Sequence, residues 1–154
     1  MCQSMRLLTV ILGLLTISSA VIAQGIHTPL PGSPERQAVC DTLRTYVAAN
    51  YTLKRLPKPI VFKIDSIRIQ GDYCHFEGIP LFKDGSDAIG VYVYDIVLNI
   101  CLERGGDGWM VVYDLSRTDV PSDQEMREIK EGFPSDFPTS LLSKFWRDKF
   151  NSVR

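Results

Sequence analysis

The sequence predicts an α+β fold: an N-terminal helix packed on a curved, four-stranded antiparallel sheet, with short C-terminal helices. Three observations predict it. Apolar residues between Pro34 and Asn50 recur at helical spacing, those between Ile60 and Leu115 alternate in short runs separated by turn residues, and helical spacing returns after Ser122. One helix followed by consecutive strands is the order of an α+β chain, not of repeated strand–helix–strand units.

The chain opens on a segment of targeting character. Arg6 supplies a positive charge, Leu7 to Ile17 (LLTVILGLLTI) is an apolar run, and Val21 and Ala23 place small residues where a signal peptidase reads. The run falls short of the roughly 20 residues a spanning helix needs. Cys2 precedes the apolar run, which does not fit a lipid-anchored start. Cleavage after Ala23 leaves 131 of the 154 residues, a size suited to one domain. Residues 1–23 therefore read as a signal peptide, 24–32 as an extended leader, and 33–154 as a single α+β domain with a helical tail over 122–154. The expected location is the periplasm or outside the cell.

Within the domain each element has a local cause. Ser33 caps the first helix, Pro34 suits its first position, and Glu35 favours the positive helix end. Val39, Leu43 and Val47, widened by Cys40 and Tyr46, form the apolar stripe. Pro57 and Pro59 break the chain. Ile60, Phe62 and Ile64 then share one strand face, but Ile67 and Ile69 have the opposite parity, which predicts a bulge near Asp65–Ser66. Gly71 and Asp72 turn into a second strand, Tyr73 to Leu81. A polar loop, KDGSD, leads to a long third strand from Ile89 to Arg104, and the fourth runs from Trp109 to Leu115.

The stretch Glu103 to Tyr113 (ERGGDGWMVVY) admits two readings, a glycine-rich anion loop or a hairpin turn. Closing a four-residue loop, GGDG, between Arg104 and Trp109 sets Leu102 opposite Val111, Ile100 opposite Tyr113 and Leu98 opposite Leu115. The other face then pairs Glu103 with Met110, Cys101 with Val112 and Asn99 with Asp114. A one-residue slip would mix the faces. A phosphate loop needs a helix after its glycines, and here a strand follows, so the glycines serve the turn. No calcium-loop spacing surrounds Asp107.

After the strands, Ser122 and Glu125 match a capping box and Gly132 ends a short helix. From Thr139 onward the tail reads as a final helix, with Leu141, Leu142, Phe145, Trp146 and Phe150 forming a broad apolar stripe decorated by Lys144, Arg147 and Lys149. Such a helix can lie on a membrane, but docking on its own domain is the preferred expectation.

The segments PGSPERQAVCDTLRTYV, FKIDSIRIQGDYCHFEGIP and DGWMVVYDLSRTDV together resemble a group of small bacterial exported proteins of unknown function. In that group a helix with an L-R pair leads to a "lrv-x-gdWAf" strand and later to a "gWrvv" strand ending in "tDv". The helix-then-meander order is also that of cystatin-like and NTF2-like folds, in which a curved sheet wraps a helix. The resemblance covers about Pro31 to Pro134. It implies a fold and no activity, and Tyr73 and Cys74 stand where the group often has Trp and Ala.

Composition narrows function by exclusion. With 17 basic and 18 acidic residues, loss of Arg6 leaves a charge of −2 and no basic block, which argues against nucleic acid as a partner. Cys40, Cys74 and Cys101 are an odd set with no zinc-like spacing, so neither a metal nor a cofactor is expected. They read as small buried side chains, although an oxidising compartment would permit a Cys74–Cys101 bridge if geometry allows it. No P-loop, dinucleotide fingerprint or nucleophile elbow is present. His27 falls in the leader. His75, beside Cys74 on a strand, points to the opposite face from it, but it can approach Asp95 or Cys101 on another strand. Asp95, Asn99 and Asp114 share one face in the inferred register and form the candidate ligand site. A buried carboxylate there would serve as a general base, with His75 as a further catalytic candidate. Arg117 and Asp119 suggest a local salt bridge. Two functions follow. The first is a non-enzymatic binding module that recognises an envelope protein or small ligand through Phe145, Trp146 and Phe150. The second is a small hydrolase or isomerase using Asp95 or Asp114.

Overall fold

Ser33 Oγ accepts the Arg36 N–H at 3.3 Å, so helix α1 (Pro34–Asn50) begins where its capping residues place it. The computed structural model describes residues 25–53, 59–89, 96–118 and 120–153. The signal-like segment, Asp95 and Asp119 lie outside the described residues. Four strands follow α1: β1 (Ile60–Gln70), β2 (Tyr73–Phe82), β3 (Leu98–Gly105) and β4 (Gly108–Asp114). They form an antiparallel meander in the order β1-β2-β3-β4. A 3-10 turn at Leu115–Arg117 leads to α2 (Asp123–Gly132), a second 3-10 turn at Thr139–Leu141, and α3 (Lys144–Ser152).

The expected bulge in β1 is present. The β1–β2 register shifts between Ile64 and Ser66. Ile60, Ile67 and Ile69 are consequently buried together, with Phe62 and Ile64 packed on the same cluster, despite their opposite parity along the chain. Gly78 of β2 lies opposite Ile64. A Cβ at Gly78 would sit 2.6 Å from the Lys63 carbonyl oxygen and 3.1 Å from Ile64 Cα, both backbone atoms that cannot swing aside. Gly78→Ala is therefore expected to destabilise the fold by about 1–3 kcal/mol, the usual cost of overpacking. Urea unfolding checks this, and wild-type stability in the variant would rule out so close an approach.

The β3–β4 hairpin keeps its expected register only near the turn. Arg104 faces Trp109, Glu103 faces Met110 and Leu102 faces Val111. Gly105 and Gly108 extend the ladder inward, leaving Gly106–Asp107 at the tip, tighter than a four-residue loop; Gly108 takes φ 114°, which glycine tolerates. Beyond Leu102 the register shifts, so Cys101 faces Tyr113 and Ile100 faces Asp114. The expected pairs Cys101–Val112, Ile100–Tyr113 and Asn99–Asp114 are corrected accordingly. The third strand also begins later than expected, at Leu98; Ile89 instead bridges to Leu53.

Both sheet faces are covered. On one side, Val39, Leu43 and Val47 of α1 pack with Leu98, Ile100, Leu102, Phe76 and the β1 residues. On the other, Met126, Phe133, Phe137, Leu141, Leu142, Trp146 and Phe150 pack with Cys101 and Leu115. Leu115 thus belongs to the second side, not to the face of Leu98 and Ile100 where the expected register put it. The Ser122–Glu125 capping box starts α2. Lys130 Nζ donates to the carbonyls of Phe150 at 3.1 Å and Val153 at 2.6 Å, tying α2 to the end of α3. The tail is not one helix: it breaks at Leu142–Ser143, where Leu142 is extended (ψ 156°), and Leu141 and Leu142 are both buried there. The leader is anchored too. His27 exchanges two backbone hydrogen bonds of 2.9 Å with Ile69, covering part of the β1 edge.

Candidate functional site

The register shift before Tyr113 decides which side of the sheet Asp114 serves. Val112 and Tyr113 both pack in the C-terminal cluster, so Asp114 turns to the α1 side. There its Oδ2 accepts the Tyr46 hydroxyl at 2.9 Å and the Tyr51 hydroxyl at 2.7 Å. Arg117 Nε lies 3.5 Å from the same oxygen. Oδ1 accepts the Ser116 N–H at 2.9 Å and so caps the 3-10 turn. The Asp114 side chain is only 7% exposed. Ser116 passes the constraint on, since its Oγ accepts the Asn99 N–H at 2.7 Å.

Sequence placed Tyr46 only at the rim of a helical stripe. Its position is nevertheless set by α1: one turn beyond Leu43, it leans past the buried stripe toward the end of β4. Tyr51 is the residue at which α1 stops, its N–H still bonded to the Val47 carbonyl. The two rings meet edge-on at 6.4 Å. Burial first, and then the Asp114 carboxylate that accepts their protons' hydrogen bonds, pushes both phenols up in pKa. These tyrosines are therefore donors at neutral pH. The Asp114–Ser116 spacing, an acid two residues before a turn serine, was the readable signal of a local cap. The long-range tyrosines carried none. Arg117 faces Asp114; Asp119, the partner suggested by the sequence, lies outside the described residues.

Of the predicted ligand site, Asn99 and Asp114 do not converge. Asp114 is on the α1 side, whereas Asn99, on β3 with the parity of Cys101, faces the C-terminal layer. The Asn99 Oδ1 is buried without a hydrogen bond. Asp95 lies outside the described residues. His75 sits on the C-terminal side between Arg68 of β1 and Cys101 of β3. It is fully buried, and among the described residues neither ring nitrogen has a hydrogen-bond partner. Desolvation, reinforced by the charge of Arg68, pushes its pKa down to about 3, so the ring is neutral at neutral pH. Cys74 faces the α1 side and Cys101 the C-terminal side, which places their sulfurs on opposite faces; both thiols are free, and burial pushes both up, away from thiolate. Trp146 and Phe150 lie in the C-terminal core, whereas Phe145 is 42% exposed and rests edge-on against Trp146.

A second polar group marks the opposite end of α1. Glu35 Oε1 accepts Arg104 Nη2 at 2.6 Å and Oε2 lies 3.0 Å from His27 Nε2. The His27 hydrogen bond and the Arg104 guanidinium hold the Glu35 carboxyl below its ordinary range despite some burial. Arg104 also stacks over Trp109 at 4.5 Å. This group fastens the leader, α1 and the hairpin to one another. Among the described residues no group of three or more His, Cys, Asp or Glu side chains is placed to hold a metal. Comparison with protein-family models, curated proteins and solved structures found no match in any of them.

Proposed function

We propose that the chain is an exported, non-enzymatic interaction module of the cell envelope. The observation that carries this reading is the bonding of Asp114: its carboxylate accepts two phenols and a backbone N–H and faces a guanidinium, a complement that fastens helix to sheet and occupies the oxygens a substrate would have to reach. His75 is fully buried under the C-terminal layer, and its ring, pushed down to about 3 by desolvation, is too weak a base to take a proton from a substrate. The signal-like start of the sequence supports export. The helix-then-meander order supports the resemblance to cystatin-like and NTF2-like chains, with the C-terminal layer as an addition on the reverse face. The alternative, a small hydrolase or isomerase with Asp114 as base, has those same bonds against it.

For the contact itself, Phe145 is the tail aromatic left at the surface, beside Lys144. Removing the tail would be a poor test, because Leu141, Leu142, Trp146 and Phe150 are core residues. Phe145→Ser spares the core. A crosslinked pull-down from envelope extract is expected to recover a partner with the wild-type chain and to lose at least tenfold of it with Phe145→Ser, while Asp41→Asn, on exposed α1 surface, recovers wild-type amounts. Equal recovery with Phe145→Ser, or none with the wild type, defeats the reading.

A further inference from the structure

Two guanidiniums stand near each other on the C-terminal side of the sheet. Arg68, between the inward-facing Ile67 and Ile69, points from β1 toward the C-terminal layer, as does its cross-strand partner His75. Two residues farther along the same strand face, Gln70 Oε1 accepts the Ser140 hydroxyl at 3.2 Å. The Ser140 carbonyl in turn accepts Arg147 Nη1 at 3.1 Å. This chain of contacts brings Arg147 of α3 to the β1 edge. Its charge, together with burial, which is the larger cause, disfavours the charged form of Arg68. Neither arginine forms an ion pair among the described residues.

The polar atoms behind this pair are also unmatched among the described residues. Arg68 Nε and both ring nitrogens of His75 are buried without hydrogen bonds, although buried polar groups are almost always partnered. Glu77, two residues from His75 on the same face, is the nearest acid by register; it favours the charged form of Arg68 but forms no ion pair with it. We propose that Arg68, Arg147 and His75 form a binding site for a small oxyanion, a carboxylate or a phosphate, held between the outer edge of the sheet and α3. Guanidinium forks match the planar, paired oxygens of such anions. The ring N–H of His75 supplies an inner donor, and the anion relieves the repulsion between the two arginines. The site is independent of the Phe145 contact, so either proposal can fail alone.

Sodium phosphate and sodium acetate, titrated separately into the purified chain at pH 7.5 with total ionic strength held constant by sodium chloride, provide the test. Calorimetry and thermal unfolding are expected to show saturable binding of at least one anion. Tighter binding of acetate assigns a carboxylate ligand, and tighter binding of phosphate a phosphorylated one. Arg68→Gln and Arg147→Gln should each weaken binding at least tenfold, and Glu77→Gln, which removes a competing charge, should strengthen it. The ring 15N resonances of His75 in the wild-type chain should move with the same titration. Absence of saturable binding by both anions, wild-type affinity in both arginine variants, or stationary His75 resonances would overturn the site. The resonance measurement needs no variant, so misfolding of one leaves the test intact.

Discussion

Replacing Asp114 by alanine is expected to lower the free energy of unfolding by about 3–5 kcal/mol, the order of two hydrogen bonds to a charged acceptor together with a lost turn cap. The loss comes from two directions. The Tyr46 and Tyr51 hydroxyls, 2.9 Å and 2.7 Å from Oδ2, would be left as half-buried donors without their acceptor, and hydrogen bonds to charged groups contribute about 1.5–3 kcal/mol each. The turn at Leu115–Arg117 would lose its cap on the Ser116 N–H, and through Ser116 the bond to Asn99 N–H would loosen. Tyr51→Phe and Tyr46→Phe remove one hydroxyl each and should cost about 1–2 kcal/mol apiece. Because they share one oxygen, the double variant should cost less or more than the sum by at least about 0.5 kcal/mol. Urea unfolding with an unchanged slope measures all of these. An Asp114→Ala chain within about 1 kcal/mol of wild type would show that the clamp is not structural, and would return Asp114 to the list of groups free for chemistry.

That clamp also shows where a sequence stops being legible. The β1 bulge was readable because its two halves are apolar on opposite parities, Ile60–Phe62–Ile64 against Ile67–Ile69, so only an extra residue reconciles them. The β4 irregularity was not. Met110, Val111, Val112 and Tyr113 are all apolar or aromatic, so moving one residue between faces leaves no trace in the pattern. Yet that shift carries Asp114 from one face to the other and separates it from Asn99. The tail repeats the lesson: a stripe as broad as Leu141 to Phe150 fits one helix or a 3-10 turn followed by another. Capping is the opposite case. Ser33 with Pro34, and Ser122 with Glu125, act through neighbours in sequence, and both appear where the residues place them.

The two-sided packing changes what the sheet can offer. A meander with one helix leaves a face open to water or a ligand, and the expected ligand site rested on that open face. Here the residues after Ser122 close it with an aromatic set, Phe133 meeting Phe137, Phe150 and Tyr113 edge-on at 4.7–5.4 Å. Tyr73 extends the set, stacking edge-on against Phe137 while its hydroxyl bonds Asp136, which holds the phenol up at about 12. The proposed contacts therefore fall at the edges and outer helix surfaces, where Phe145 stands and where the charge of Arg147 reaches Arg68.

Closing that face over His75 gives the fold a dependence on acid. The unfolded ring has the ordinary value of 6.5 and the native one about 3. Above pH 6.5 neither state holds the proton and stability is complete. As pH falls below 6.5 the unfolded chain takes up a proton that the native chain refuses, so stability declines by about 1.4 kcal/mol per pH unit toward pH 3. His75→Leu removes the proton site and fills much of the same volume. Unfolding free energies measured in chloride buffers at pH 7.5, 6.5, 5.5 and 4.5 should diverge, the wild type losing about 2–3 kcal/mol relative to the variant between the second and the last. Other groups cancel in that difference. Glu77, its carboxyl raised mainly by desolvation, acts in the opposite direction in both chains, and Glu35 and Glu125, held below their ordinary range, lose their contributions only at lower pH. Arg68 lies opposite the ring, and no acid is bonded to it among the described residues to take up the new charge. Parallel pH curves for the two chains would mean that the native ring accepts a proton as readily as the unfolded one, and that the C-terminal layer does not seal it.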